Sequence, residues 1–583
     1  TQLGIMAASV FATSFLALIV AWRLGPRRAL GVSAALLAAA TLLATMSRNN
    51  WTDLLFSVVA LAAGFWWLAF LHSARAGESA SPLPRALPIA FACDLALRAA
   101  TRTVAVPDLA WPVAVGVVLA AVLVFAASGL ASLAAQRQWS APDLRGMLGL
   151  LAVPCLILVA ETGGTNGAQA SAAAGLGLGP EPVRATQIGQ LVLGLGIAAG
   201  ALALSRLPAK GLVAAAAIVA GAAVLWLHVP LVSLAGAAVL AAGVVLAAAA
   251  LLGGPLHPAR SAAGVVLPLS LGWLLFVGTA FGFYAFWAYL PAVYAATAIV
   301  ALGCAVAAGG ARLGRPVAMG VMALVVAVPL VAVLTTASPA ASEPLRRTFR
   351  FMTYNVHQGF DAGQIPSLDE LVQVISAESP DVVCLQEVVR GWMIDQQHDT
   401  LSVLAERLGM QYAFIPNIGD LYGNAVLTRA PMSGARFVRY AREPSVKHQP
   451  RGALFVDIEG PDQRKLLVAC THLDEVEGAD SVRQEQVRAI IREWDFATVP
   501  IIVAGDLNAT PETIEIRLLN EAGLDDLGRE AGDTTTMSDP QKRIDYIWGK
   551  GVAGSQAHTP ATVEAAMRAS DHRWLAVNIT WEK

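Results

Sequence analysis

Residues 500–508 read Pro500-Ile501-Ile502-Val503-Ala504-Gly505-Asp506-Leu507-Asn508, and this stretch decides how the C-terminal part of the chain folds. Its short apolar run predicts a buried β-strand, and polar residues follow where that strand ends. Because side chains alternate along a strand, Asp506 and Asn508 lie on one face at its end. A simple turn before Thr510-Pro511 would explain Asn508 alone. The pair together indicates a functional site.

Five further polar motifs occur within the last 234 residues of the chain. They are Tyr354-Asn355-Val356-His357, Leu385-Gln386-Glu387, Thr471-His472-Leu473-Asp474, Ile544-Asp545-Tyr546 and Ser570-Asp571-His572. Most of them end an apolar, strand-like run, so we expect the strand ends to gather these side chains in one cleft. A mixture of Asn, Glu, His and Asp suits a hard divalent cation together with acid–base chemistry at phosphorus.

The segments between these motifs alternate between strand and helix patterns. Strand-like runs cover 349–356, 381–387, 423–428, 435–440, 453–458, 465–472, 500–507, 544–548 and 573–579. Helices are predicted over 368–378, behind a capping box of Ser367 and Glu370, over 480–496, and from Thr510-Pro511 to Gly523. The pattern predicts two packed β-sheets with helices outside them, an α/β sandwich.

The motif order resembles that of the endonuclease/exonuclease/phosphatase superfamily, which includes DNase I-like nucleases, sphingomyelinases and inositol-phosphate phosphatases. The resemblance covers residues 350–583 and implies a DNase I-like four-layered α/β/β/α fold. The opening Tyr354-Asn355-Val356-His357 is similar to a subgroup that includes the C-terminal domains of GPI-lipid remodelling proteins. The resemblance implies a metal-dependent phosphoester hydrolase, with Mg²⁺ as the expected ion and Mn²⁺ or Ca²⁺ as alternatives.

The same resemblance implies roles for residues at the metal and at the attacking water. Glu387 becomes the main metal ligand, Asn355 orients the metal shell or a phosphate oxygen, and Asp571 lies near the metal. Asp506 positions or deprotonates the water. Asn508 donates a hydrogen bond to the developing negative charge.

Histidines supply the remaining catalytic candidates. A His/Asp pair fixes an imidazole tautomer and keeps the ring protonated, so Asp545 is expected to orient His572 for transition-state stabilisation or general acid work. His472 is expected to contact a phosphate oxygen. Many relatives carry an acid where this chain has His357. We therefore assign His357 to phosphate or to a softer metal.

Weaker candidates complete the predicted site. Asn424 and Arg451 are assigned to substrate binding, although Arg451 is as readily explained as a solvated turn residue. His398, His448 and His558 lack supporting neighbours in the sequence and are predicted to be surface histidines.

Charge is distributed unevenly along the chain. Residues 1–349 hold 18 Lys/Arg and 8 Asp/Glu, whereas residues 350–583 hold 22 Lys/Arg and 34 Asp/Glu. The C-terminal part therefore has a balance of −12. Nucleic-acid binders normally present a basic face, so this charge disfavours nucleic acid as a partner. An extracytoplasmic nuclease remains an alternative that would require a local basic groove.

The N-terminal part has the composition of a membrane protein. Its twelve apolar stretches are 3–22, 29–46, 52–71, 85–101, 111–134, 146–161, 186–204, 211–227, 230–252, 262–284, 289–309 and 316–336. Each is near the roughly 20 residues that cross a bilayer core. Basic residues are concentrated in alternate connections, which predicts that both termini are extracytoplasmic. We expect a multi-pass plasma membrane protein, and Ala/Arg-rich usage suggests a bacterial source.

The predicted organisation is therefore an all-α polytopic bundle over 1–336, a linker over 337–349 and a catalytic head over 350–583. The linker spans about 40 Å at full stretch, which keeps the head near the membrane and favours lipids as partners and a lipid or lipid-linked phosphoester as substrate. Asp94 and Arg98 form a predicted i, i+4 polar pair within the membrane. If that pair lines a polar cavity, a lipid-handling or transport protein with a ligand-recognising head is a further alternative.

Cysteine usage gives little information on the compartment. Cys384 and Cys470 lie inside strand-like runs, and we interpret both as buried thiols rather than as a disulfide.

Overall fold

The computed structural model describes residues 2–47, 50–75, 83–101, 116, 138–165, 168, 182–227, 229–286, 289–307, 310–336, 343–392, 399–441, 447–494, 499–537 and 541–582. The chain forms two compact units. One is helical and comprises Thr1–Gly177 and Arg184–Thr335, and the other is formed mainly by Thr336–Lys583.

The helical unit is built from long apolar helices. They are α1 (Gln2–Ala12), α2 (Ala17–Met46), α3 (Asn50–Ser73), α4 (Leu83–Ala100), α5 (Leu144–Gly163), α6 (Pro182–Arg206), α7 (Gly211–Leu225), α8 (Pro230–Leu252), α9 (Ala263–Phe286), α10 (Tyr289–Val306) and α11 (Arg315–Thr335). A small antiparallel sheet joins β1 (Ala74–Arg75), β2 (Gln138–Pro142) and β3 (Leu256–Ala259). Small residues allow close helix packing, since a Cβ on Gly221 would lie 2.4 Å from the backbone N of Leu240.

Seven stretches of the described residues are long and apolar enough to cross a membrane, with mean hydropathy from 1.8 to 2.8. Two shorter apolar helices, Gly211–Leu225 and Leu290–Val306, accompany them. The first two predicted segments meet at Gly25, whose φ of 67° interrupts α2 immediately before Pro26. The predicted fourth segment forms α4 without being among the seven, and nearly all of the fifth, 111–134, lies outside the described residues. The count of about twelve membrane helices stays a prediction.

The second unit is a two-sheet α/β domain, as the sequence predicts. Its strands are β4 (Thr348–Asn355), β5 (Val382–Val389), β6 (Gln411–Ile418), β7 (Tyr422–Thr428), β8 (Met432–Arg439), β9 (Gly452–Glu459), β10 (Lys465–His472), β11 (Ile501–Asp506), β12 (Asp525–Asp526), β13 (Asp545–Lys550), β14 (Val552–His558) and β15 (Leu575–Trp581). One sheet has the order β12-β13-β11-β10-β9-β8, and the other has the order β14-β15-β4-β5-β7-β6.

Helices of this unit lie close to the predicted positions. They are α12 (Leu368–Glu378), α13 (Thr400–Leu408), α14 (Asp480–Trp494), α15 (Ile514–Glu521) and the short α16 (Val563–Met567). The predicted capping box at α12 is wrong, because the Ser367 hydroxyl donates to the carbonyl of Ala569 at 2.8 Å instead of capping the helix. The helix predicted from Thr510 begins only at Ile514, after the N-cap residue Thr513.

Alternation along the strands separates two apolar cores. In β10, Leu466 and Val468 join the core between the two sheets. Leu467 and Ala469 point to the other face, where they pack with residues of α14 and α15 such as Ile490. Because both faces of this strand are buried, its sequence is an almost continuous apolar run. The polar motifs begin where such doubly buried strands end.

A disulfide links the two sheets, which corrects the interpretation of Cys384 and Cys470 as thiols. Cys384 lies in β5 and Cys470 in β10, and the two sulfurs are bonded across the core. Sequence reasoning placed both residues correctly in buried strands. The sequence pattern does not show that the two strands, whose cysteines are 86 residues apart, face each other.

Candidate active site

Strand register brings three predicted residues side by side. Asp506 ends β11, pairing with His472 at the end of β10 on one side and with Asp545 at the start of β13 on the other. Close approach of β11 to β10 requires Gly505, because a Cβ there would lie 1.9 Å from the carbonyl oxygen of Thr471. The sequence Gly505-Asp506 therefore has a packing reason as well as a chemical one.

Glu387 is directed towards this edge by a local irregularity of β5. Its φ is 55°, a left-handed conformation that is unfavourable for a residue with a side chain. The register between β5 and β7 shifts between Leu385 and Val388, which marks a bulge at this point. Bulges commonly redirect a side chain next to an active site. Strained backbone of this kind is concentrated at functional sites.

Asn355 connects the two sheets at the site. Its side-chain nitrogen donates to Glu387 Oε1 at 3.3 Å and to Asp506 Oδ2 at 3.1 Å. The amide oxygen of Asn355 accepts from the backbone N–H of His357 at 3.1 Å. Asn355 therefore orients two carboxylates, one from each sheet.

Asp506 Oδ2 is the point on which the site converges. Besides Asn355, the Nε2 atom of His472 lies 3.4 Å from it and the Nε2 atom of His572 lies 3.6 Å from it. The other oxygen, Oδ1, accepts from the backbone N–H of Asn508 at 2.9 Å. Three side-chain nitrogens from three separate segments thus surround one buried carboxylate oxygen.

His572 and Asp545 form the predicted pair. His572 Nδ1 lies 2.9 Å from Asp545 Oδ2, and the Asp545 side chain is only 1% exposed. Burial opposes the charge on His572, but the carboxylates of Asp545 and Asp506 outweigh it and raise the pKa of the imidazole well above its ordinary value. The raised pKa favours the charged form of His572. Burial and the charge of Asp545 raise the pKa of Asp506 to about 7, against the opposing effect of His572.

His472 has the opposite character. Its Nδ1 lies 2.9 Å from a guanidinium nitrogen of Arg451, and a guanidinium has no acceptor atom. Nδ1 must therefore be the acceptor, which leaves the proton on Nε2, the atom that faces Asp506. Burial, followed by the charges of Arg451 and His572, lowers the pKa of His472 well below its ordinary value. The ring is a neutral donor.

This tautomer decides how Asn508 is bonded. Asn508 Nδ2 lies 3.1 Å from His472 Nε2 and 3.2 Å from the carbonyl oxygen of Leu473. Since both His472 Nε2 and Asn508 Nδ2 are donors, the hydrogen bond of Asn508 goes to Leu473. Asn508 has a φ of 47°, so the turn after β11 is held in a strained conformation beside the site.

Arg451 is not the solvated turn residue that the sequence left open. It is 3% exposed and donates to the Tyr422 hydroxyl at 3.1 Å as well as contacting His472. A further contact joins Arg451 to Glu475. The guanidinium therefore holds His472 from behind, inside the protein.

Asp571 lies at the more exposed side of the site. The loop after β4 contacts the carboxylates of Asp571 and Glu387. His357 Nε2 lies 3.7 Å from Asp571 Oδ2, and Gln358 donates to Glu387 Oε2 at 3.1 Å. Both loop residues have positive φ, 43° for His357 and 60° for Gln358. Gln358 is a site residue that sequence reasoning missed, although it directly follows a quoted motif.

The donor set fits a hard divalent cation. Four carboxylates share the site, and the two contacts of Glu387 described above come from neutral amides. Oxygen ligands of this kind suit Mg²⁺, Mn²⁺ or Ca²⁺. Asp506, Asp545 and His572 also offer ligand atoms within 4.8 Å of one another. Because His572 Nδ1 and Asp545 Oδ2 already contact each other at 2.9 Å, Glu387, with Asn355 and Asp571, is the better place for an ion.

Three of the remaining candidates contact other groups. Asn424 is buried and donates to the carbonyl of Gly452 at 3.0 Å, which ties β7 to β9. The prediction of a surface position is wrong for His448, whose Nδ1 lies 2.8 Å from the buried Asp474. His558, 39% exposed, pairs with Glu378, whereas His398 lies outside the described residues. No sequence signal connects His448 with Asp474, because the pairing depends on a long loop.

The sequence comparison agrees with the two-sheet α/β fold of this domain. Residues 352–572 match the model of the Endonuclease/Exonuclease/phosphatase family. The chain therefore contains a domain of this family, which includes phosphatases and nucleases that hydrolyse phosphoesters and generally use divalent metal ions. No curated protein matches the chain. The subgroup resemblance stays a prediction.

Three solved structures illustrate the similarity. An endonuclease/exonuclease/phosphatase from Beutenbergia cavernae is 26% identical, with 41% of this chain and 72% of that chain covered and a TM-score of 0.35. The human Nocturnin catalytic domain is 22% identical, with 41% and 96% covered and a TM-score of 0.34. A mannosyl-6-phosphatase from Bacteroides thetaiotaomicron is 17% identical, with 40% and 100% covered and a TM-score of 0.34.

Proposed function

We propose that this protein is a membrane-anchored, divalent-metal-dependent phosphodiesterase that acts on a lipid or lipid-linked substrate at the extracytoplasmic membrane surface. One observation carries the hydrolytic part of the proposal. Asp506 Oδ2 is surrounded by nitrogens of Asn355, His472 and His572, within 3.1 to 3.6 Å. Such a cluster provides a base, a cationic acid and a neutral donor within reach of one phosphate group.

Asp506 positions and deprotonates the attacking water. A general base works best when its pKa lies near the working pH, and burial with the neighbouring Asp545 raises the pKa of Asp506 to about 7. The backbone N–H of Asn508 holds Oδ1 at 2.9 Å, which leaves Oδ2 directed into the site. A bound divalent ion at Glu387 would supply charge stabilisation for the phosphoryl oxygens.

The two histidines divide the remaining work. His572 carries a positive charge held by Asp545 at 2.9 Å, so it stabilises negative charge on the phosphoryl group or gives a proton to the leaving oxygen. His472 offers a neutral Nε2–H to a phosphoryl oxygen, because Arg451 occupies Nδ1. A neutral and a charged donor on either side of Asp506 can serve different oxygens of one phosphodiester.

Lipid is favoured over DNA as the substrate by charge and by anchoring. The head carries a net charge of −12, which repels a polyphosphate backbone. In the helical unit, the residues that the structure describes include seven stretches suited to crossing a membrane. The disulfide between Cys384 and Cys470 supports an extracytoplasmic head, because such bonds persist mainly in oxidising compartments. The concentration of basic residues in alternate connections between the predicted membrane segments supports the same orientation.

The test is a side-by-side assay of the purified full-length protein. Phospholipid, sphingolipid and DNA are each offered with Mg²⁺, and released products are identified by mass spectrometry. We expect cleavage of a phosphodiester in a lipid and no cleavage of DNA. Cleavage of DNA alone, with steep loss of activity as salt rises, would support the nuclease alternative instead.

A further inference from the structure

The disulfide of the α/β domain lies directly behind the candidate active site. Cys384 precedes Glu387 by three residues in β5, and Cys470 precedes His472 by two residues in β10. Both cysteines are fully buried in the core between the two sheets. The crosslink therefore joins one strand of each sheet, and each of the two strands carries a residue of the site just beyond its cysteine.

The two sheets approach each other closely at this crosslink. Sheets that pack face to face generally lie about 10 Å apart. The Cα atoms of Cys384 and Cys470 are only 5.6 Å apart. The crosslink thus holds β5 and β10 at little more than half of the usual separation, immediately before the site.

The side chains of the site depend on this close approach. Asn355 and Glu387 belong to one sheet, whereas Asp506 and His472 belong to the other. The side-chain nitrogen of Asn355 contacts Glu387 Oε1 at 3.3 Å and Asp506 Oδ2 at 3.1 Å. Because the side chain of Asn is short, a gap of the usual width would break its contact with Asp506. The metal-ligand candidate Glu387 would then be separated from His472.

Gln386 connects the crosslink with Glu387. Its side-chain nitrogen lies 3.0 Å from Cys384 Sγ and 3.5 Å from Cys470 Sγ, and it donates to Thr353 Oγ1 at 3.2 Å. Gln386 is fully buried and directly precedes Glu387, which the bulge of β5 directs towards the site. The position of Glu387 is therefore tied to both sulfurs through one residue.

We propose that the disulfide between Cys384 and Cys470 positions Glu387 against Asp506, a role that rests on the phosphoester hydrolysis proposed above. The two cysteines are positioning residues, because they act through the spacing of the sheets. Formation of the bond takes two electrons and two protons from the two thiols, and a thiol–disulfide oxidant accepts them. The site therefore assembles fully only in an oxidising compartment.

The test compares the unaltered full-length protein with a Cys384→Ala/Cys470→Ala variant, both purified in detergent. Mn²⁺ binding is measured from the electron paramagnetic resonance signal of the free ion, and kcat is measured on a chromogenic phosphodiester. We expect the Kd for Mn²⁺ to rise roughly tenfold or more, as it does when groups around a metal are displaced. We expect kcat to fall roughly a hundredfold, the effect of a misplacement of about 1 Å.

Two further variants separate positioning from packing. Val468 lies two residues before Cys470, on the same face of β10 and in the same core. Val468→Ala is therefore the matched control, because it removes core volume and leaves the disulfide intact. At a temperature below all the thermal melts, it should bind Mn²⁺ and turn over like the unaltered protein. Adding Glu387→Gln to the cysteine variant should have far less effect than in the unaltered protein, because both changes act on one carboxylate.

Reduction of the unaltered protein with dithiothreitol reaches the same state without any substitution. The reagent gives two electrons and two protons to the bond, leaves two thiols and closes into a cyclic disulfide. Mass spectrometry confirms the reduction, and the Mn²⁺ titration is then repeated. A reduced protein with undiminished Mn²⁺ affinity would overturn the proposal.

The variants give three further contrary outcomes. The first is a folded cysteine variant with the Mn²⁺ affinity and kcat of the unaltered protein. The second is an equal loss in Val468→Ala, which would make loosened packing the cause. The third is full additivity with Glu387→Gln. If the unaltered protein cleaves no phosphodiester, the proposed function fails, and the Mn²⁺ titration still decides whether the disulfide positions Glu387.

Discussion

Replacing Asp545 with Asn tests whether a charged imidazole takes part in the reaction. The side chain of Asp545 accepts from His572 at 2.9 Å and is buried, so the substitution keeps the shape and removes the charge. A hydrogen bond to a charged group contributes about 1.5–3 kcal/mol. At about 1.36 kcal/mol per decade, kcat/KM should fall roughly ten- to 150-fold.

The pH profile gives a second, independent readout. In the unaltered protein the carboxylates of Asp545 and Asp506 raise the pKa of His572, so protonated His572 persists to high pH and activity is lost only above its raised pKa. In Asp545→Asn one of those carboxylates is gone. The basic limb of the profile should therefore move to lower pH.

The assay is the initial rate of the full-length protein on a chromogenic phosphodiester with Mg²⁺, measured from pH 5 to 10. Asp457→Asn is the matched control, because it makes the same change in β9 at an ion pair with Lys465, whose side chain is 55% exposed. A thermal melt separates loss of chemistry from loss of fold. An Asp545→Asn protein with an unaltered rate and an unaltered basic limb would refute the role given to His572.

Three further predictions follow from the site and the core. Glu387→Gln should raise the Mg²⁺ concentration for half-maximal activity by roughly tenfold or more, as loss of groups around a metal generally does. Burial is the main cause of the lowered pKa of His472, and the charge of Arg451 is the next. Arg451→Met removes that charge and should raise the pKa of His472, so a new ionisation should appear on the acid side of the pH–rate profile. Joint replacement of Cys384 and Cys470 by Ser should reduce the free energy of unfolding by about 4–5 kcal/mol, the chain-entropy value for a loop of this length, in a denaturant titration.

Each of these has a contrary outcome. An unchanged Mg²⁺ dependence in Glu387→Gln would remove Glu387 from the metal site. A pH–rate profile of Arg451→Met with the same shape as that of the unaltered protein, and only a uniform loss of rate, would mean that Arg451 contributes through packing alone. Equal denaturation midpoints with and without reducing agent would argue against a disulfide between Cys384 and Cys470.

The linear pattern of the sequence predicted the strand-end residues well. Asp506, His472 and Asp545 each end or begin an apolar run, and the shortness of these runs favours strands over helices. Convergence followed from topology, because neighbouring strand ends meet at one edge of a sheet. Asn355 and Glu387 were found by the same reasoning, since each closes an apolar run of the second sheet. Asn355 ends β4, and Glu387 lies at the bulge within β5.

Contacts that depend on loops or on facing strands could not be predicted in this way. Arg451 was indistinguishable from a surface turn residue, because its burial depends on the approach of His472 and Tyr422. The disulfide between Cys384 and Cys470 could be predicted only by knowing which strands of the two sheets face each other. The periodicity of the sequence does not give this. In the helical unit, the contact between Arg98 and Glu161 depends on how two helices pack, which the sequence pattern does not show.

Asp506→Asn tests the central claim most directly, because nitrogens of Asn355, His472 and His572 meet at that carboxylate. The measurement is the rate of phosphodiester cleavage by the full-length protein with Mg²⁺, beside the unaltered protein and the Asp457→Asn control. Loss of a positioned general base should reduce kcat by roughly 10²- to 10⁴-fold while the thermal melt stays cooperative. Cleavage at the unaltered rate would contradict the account.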